Sequence, residues 1–128
     1  MISNHSPQII FGNAQAEGMT RHGWFIGHFM DDDPIRCSAD VEVKWGVHRA
    51  GEHRSQWSSS HTATTVSILI HGRFRLYFPD YEVLLAETGD YALWLPKVPH
   101  YWLAETDSTL ITVRFPSTPG DIIEELKR

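Results

Sequence analysis

The sequence predicts an all-β fold, a barrel or sandwich of short antiparallel strands. Three observations carry that expectation. From residue 40 onward apolar and polar residues alternate with period two, as in a strand with one buried face. Gly, Pro and Asp recur at short intervals between these runs, where tight turns need their special backbone geometry. Of the 128 residues, only the last ten carry a helical pattern.

The elements follow in order along the chain. Residues 1–20 are an irregular lead-in, rich in Asn, Gln and Ser. Asp31-Asp32-Asp33-Pro34 is a turn, because Pro34 disfavours helix at the residue before it. In 40–48, Val41, Val43, Trp45 and Val47 share one face, and Glu42, Lys44 and His48 share the other. Which face looks inward stays open, since a one-residue slip in register exchanges the two.

Residues 64–70 are β-branched-rich and end at His71-Gly72, a hairpin turn in which Gly tolerates positive φ. In 73–78, Phe74, Leu76 and Phe78 alternate with Arg73, Arg75 and Tyr77. Turns at Pro79-Asp80 and around Gly89 flank a strand at 81–86. Strands at 91–95, 100–104 and 109–115 complete the meander, with a loop at 96–99. Ser58-Ser59-Ser60 reads as a loop. The segment 120–128 reads as a short helix, with Asp121 and Glu124 as a capping box. Lys127 and Arg128 would sit at its cation-favouring end, and Ile122, Ile123 and Leu126 would face the barrel.

Composition narrows the function classes. Eleven Lys and Arg against 16 Asp and Glu give a net charge of −5, which speaks against a generic nucleic-acid face. The single cysteine, Cys37, permits no intramolecular disulfide and no cysteine-rich zinc site. No stretch approaches the roughly 18 consecutive apolar residues of a membrane helix. The first residues lack the basic start and apolar run of a secretory signal. The expectation is one domain over 1–128, cytoplasmic, with its barrel core at about 40–115 and no membrane or nucleic-acid partner. Phosphate-loop, G-x-S-x-G and H-E-x-x-H patterns do not occur. Cys37 has no nucleophile context, and no lysine arrangement supports serine chemistry at Ser58-Ser59-Ser60.

Gly89-Asp90, an apolar strand, and then Leu95-Pro96-Lys97-Val98-Pro99-His100-Tyr101-Trp102 resemble the second motif of the cupin superfamily. In its usual form, G-x5-P-x-G-x2-H-x3-N, a metal-binding histidine stands eleven positions after the glycine, as His100 does after Gly89. The run from His61 to Gly72 resembles the end of the first motif. The resemblance covers about residues 40–115 and implies a double-stranded β-helix (jelly-roll) barrel, here with the short C-terminal helix. It also implies a homodimer. The departures are substantial. The first motif's H-x-H-x3-E falls on Ser59, His61 and Thr65, and Leu95, Lys97 and Ala104 replace the second motif's proline, glycine and asparagine. Of four family metal ligands only His61 and His100 are matched. Period two places His61, Ala63, Thr65, Ser67 and Leu69 on one strand face.

Three functional readings follow. The first is a small-molecule-binding cupin with an eroded metal site, a sensor or accessory protein. Its ligand would meet His61, His100, Tyr101 and Trp102, together with Lys44 and Arg114, whose guanidinium suits a carboxylate. The second is a metal-dependent isomerase or oxygenase of a small polar substrate. It needs one divalent ion (Zn, Ni, Mn or Fe) on His61 and His100, completed by His48 or His53, with Glu42 as proton shuttle. A site without metal is an equal expectation. The third is a structural dimer module whose barrel is filled by aromatic side chains, five Trp among them.

Overall fold

The computed structural model describes residues 8–127. A short helix α1 (Ala14–Gly18) is capped by Asn13, whose side chain accepts from the Ala16 N–H. A 3₁₀ turn at Met19–Arg21 leads to strand β1 (Trp24–Ile26). From Asn13 onward the lead-in is therefore more ordered than its weak periodicity suggests.

Nine further strands follow: β2 (Glu42–His48), β3 (Gln56–Ser60), β4 (Thr64–His71), β5 (Phe74–Phe78), β6 (Tyr81–Leu85), β7 (Tyr91–Trp94), β8 (Tyr101–Ala104), β9 (Ser108–Phe115) and β10 (Ile122–Lys127). Seven of them, β2, β4, β5, β6, β7, β8 and β9, lie within a residue or two of the strands expected from the sequence. Gly72 and Gly89 take φ of 109° and 95° at the turns where the chain needs it.

The strands form a five-stranded sheet in the order β1-β2-β9-β4-β7, a three-stranded sheet β6-β5-β8 and a ribbon β10-β3. Ser58 and His100 exchange backbone hydrogen bonds of 3.0 and 2.9 Å, which join the ribbon to β8. Leu69, Phe74, Leu76, Leu85, Trp94, Ala104 and Leu110 form the buried core, drawn from both larger sheets.

Two expectations are corrected here. The C-terminal segment is strand β10, with Ile122 opposite Ser60, Ile123 opposite Ser59 and Glu124 opposite Ser58. A single capped turn does not repay helix nucleation, whereas Ile122 and Ile123 suit a strand and find an open edge. Ser58-Ser59-Ser60 is accordingly strand rather than loop, and all three serines are buried. Asp121 caps no helix. Its carboxylate accepts from the Thr62 N–H at 2.9 Å, the Thr62 hydroxyl at 2.7 Å and the Ala63 N–H at 3.1 Å, closing the β3–β4 turn.

Asp121→Ala removes a buried carboxylate that satisfies three donors, so it should destabilise the fold by about 2–4 kcal/mol. Urea unfolding measures this, with Asp121→Asn expected to lose less.

Candidate functional site

The register of three strands builds the site. Across β2, β9 and β4, Glu42 stands opposite Arg114, and Arg114 opposite Thr65; Lys44, Thr112 and Ser67 form the next row, and Gly46, Leu110 and Leu69 the third. Residues in one row share a face. The polar face of β2 therefore looks into the barrel, and Val43, Trp45 and Val47 look out. The inner face is polar at one end and apolar at the other. A Cβ at Gly46 would come within 3.2 Å of His48 Nε2 and 3.6 Å of Lys44 Cε, so the missing side chain makes room for both.

Between the sheets lies a cavity with about 50 Å³ available to water, on the scale of about four ordered molecules. Thr65, Ser67 and Thr112 line it with hydroxyls, and Ser67 Oγ lies 2.8 Å from Thr112 Oγ1. Phe74, Leu76, Trp94, Trp102 and Leu110 supply its apolar wall. Lys44, Arg54, Arg114, His48 and His100 supply its nitrogen groups. Lys44, His48, Arg54 and Trp102 also border a shallower depression lined by Gln15, Met19 and His22, so these four side chains stand between the cavity and the surface.

Among the described residues no carboxylate lines this cavity. Glu42 is buried just outside it, held by Arg114 Nη1 at 3.2 Å and by the Ser117 hydroxyl at 2.7 Å. Trp24 covers two of the cations, with its ring 5.8 Å from Lys44 Nζ and 4.6 Å from Arg114 Cζ.

Desolvation, with Arg114 and Arg54 close by, pushes the Lys44 ammonium down to about 8. Burial, reinforced by Arg54 and Arg114, pushes the His100 imidazole down to about 3. His48 is also lowered, chiefly by burial and then by Lys44, although Glu52 lies 3.3 Å from its Nδ1 and opposes the shift. Both histidines are thus neutral at physiological pH. His100 is only 8% exposed, its Nδ1 is shut off from solvent, and the Val98 and Ser58 backbone beside the ring oppose the downward shift.

Of the residues singled out in the sequence, Lys44, His48, His100, Trp102 and Arg114 come together here. The others do not. His61 lies exposed in the turn between β3 and β4, because the alternation that would place it beside Thr65 begins only at Thr64. His53 is exposed beyond β2, with Nδ1 3.1 Å from the Gly51 carbonyl. Tyr101 is on the opposite face of β8, stacked on Tyr77 at 4.5 Å and edge-on to Trp57 at 4.9 Å. Arg54 and Trp24 had no signal in the sequence. One lies in an irregular connection and the other follows a segment without periodicity.

A metal centre does not fit these residues. Among the described residues no three His, Cys, Asp or Glu side chains converge. Inside the cavity the two imidazoles share their space with three cationic side chains, which oppose a divalent ion.

No protein-family model matches the sequence, and no curated protein matches it. Solved structures do. An uncharacterized conserved protein with a double-stranded β-helix domain from Klebsiella pneumoniae superposes with a TM-score of 0.61 at 16% identity, covering 70% of this chain and 78% of that one. A cupin superfamily protein from Desulfitobacterium hafniense gives 0.55 at 15% identity, covering 61% and 69%. The fold is that of the cupins. Oxalate decarboxylase from Bacillus subtilis gives 0.59 at 16% identity, covering 68% of this chain but only 24% of the enzyme. At such identities the likeness speaks for the cupin fold alone. The cupin barrel expected from the sequence is therefore present, with β10 in place of the terminal helix.

Two outcomes follow from the charges. His100 is depressed in the fold, so between pH 6.5 and about 3 the unfolded chain binds a proton that the folded chain refuses. This contribution is intact above pH 6.5 and is lost as pH falls, at about 1.4 kcal/mol per pH unit. Urea midpoints of the parent and of His100→Gln should converge over that window. Lys44→Met removes an ammonium buried beside two guanidiniums and should raise the ligand-free Tm at pH 7 by about 5 °C, read by calorimetry.

Proposed function

We propose that the protein is a small-molecule-binding cupin, a sensor or accessory protein that captures a ligand in its barrel without turning it over. The observation that supports this most is a cavity that gathers Lys44, Arg54, Arg114 and the neutral imidazole of His100, with no carboxylate among its described lining residues. Holding such groups away from water without a partner is costly, and a ligand that meets them recovers part of that cost. Polar walls and open volume favour a binding site over a structural module with an aromatic-filled barrel.

The metal-dependent isomerase or oxygenase needs at least three protein ligands, and His48 and His100 are the two the cavity offers. Elemental analysis of chelator-free protein, run beside a thermal-shift screen of small polar metabolites, tests the choice. Metal far below stoichiometry is expected, together with Tm increases that disappear in His100→Ala. Stoichiometric metal that is lost in a His48→Ala/His100→Ala variant would overturn the reading in favour of the enzyme.

A further inference from the structure

We infer that the barrel cavity takes a compact organic carboxylate, its charge held by Lys44, Arg54 and Arg114 and a second polar group meeting His100. The inference rests on the reading of this cavity as a ligand site and specifies the ligand's chemistry.

The argument begins with charge. The chain as a whole carries −5, yet this cavity collects three cations from β2, the β2–β3 connection and β9, with no carboxylate among the described residues of its lining. Glu42 compensates Arg114. Neither Lys44 nor Arg54 forms an ion pair with a described residue, and the carboxylate felt at Arg54 is the more distant Glu124. Holding like charges together away from water is costly. An anion seated among them removes the repulsion and satisfies the guanidinium donors.

Second, the donors are all of one kind. The β2, β9 and β4 wall of the cavity has its backbone groups engaged in the ladders, and neither described helical segment, α1 or the 3₁₀ turn, contributes to the lining. Phosphate sites commonly use such backbone N–H cradles. Recognition here falls to side chains, and the planar fork of Arg matches a carboxylate.

Third, shape and polarity limit the rest of the molecule. The enclosed space, about 50 Å³ available to water, suits a ligand whose buried end is only a few atoms long. Trp94 and Trp102, with Phe74 and Leu76, give an apolar wall that suits a short carbon skeleton. His100 is neutral, so its ring can donate or accept according to tautomer. That matches a hydroxyl, a carbonyl or a second carboxylate. Trp24 keeps the Lys44 and Arg114 heads from folding away from the cavity.

Calorimetric titration of the full chain with malonate and malate, beside inorganic phosphate and the uncharged malonamide, tests the inference. Saturable binding of malonate or malate is expected, weakened by about tenfold to a hundredfold in Lys44→Met and in Arg54→Gln. Lys44→Met is the decisive variant, because its fold is expected to be the more stable, so lost binding is not lost structure. Phosphate binding as tightly as either carboxylate would overturn the carboxylate assignment. If malonamide binds as well as malonate and His100→Ala abolishes it, the small-molecule reading stands and the anion inference fails. If none of the four probes binds, the inference fails, while the wider metabolite screen still decides the parent reading.

Discussion

The pairing of β9 with β2 on one side and β4 on the other is the constraint on which the rest depends. Side-chain direction in a strand has a period of two, so slipping β2 by one residue against β9 would send Lys44 and His48 outward and Val43 and Trp45 inward. The chosen register does the opposite. It sets Lys44 beside Thr112 and Ser67 and sets Glu42 beside Arg114. Leu69 and Leu110 then meet one row further along, where they join Phe74 and Leu76 in the core. The division of the barrel into an apolar end and a polar end is thus one decision about pairing, repeated over seven residue pairs.

That division carries a cost in the ligand-free protein. An inner face occupied by ammonium, guanidinium and imidazole buries less apolar area than Val and Trp would, and the depressed Lys44 and His100 report the penalty. Several contacts limit it. Glu42 neutralises Arg114 while Ser117 satisfies the second carboxylate oxygen. Trp24 offers its π face to two cations. Sites that bind commonly keep groups a stability optimum would discard.

Much of the fold is legible in the sequence because turns are chemically marked. Gly72, Gly89, Pro79-Asp80 and the 96–99 loop fix where strands must end, and between them the period-two runs leave little choice. The face of β2 was not legible, because alternation gives two faces but not which one is covered. Its partner, β9, lies about 65 residues away. The C-terminal segment misled because Asp121 and Glu124 satisfy a helix-cap pattern locally. The long-range donors Thr62 and Ala63 claim the Asp121 carboxylate instead. His61 illustrates a related limit: alternation carried back through a turn loses its phase. Arg54 has no pattern of its own and enters the site through the path of an irregular connection.

The reciprocal backbone bonds between Ser58 and His100 have a consequence for recognition. They fix the main chain at His100 from both its N–H and its carbonyl, and Trp94 packs its ring against the imidazole at 4.7 Å. The side chain therefore has little freedom left to lose. A group docking against the imidazole would meet a preorganised partner, so the entropy of ordering that histidine is already spent in folding rather than charged against affinity.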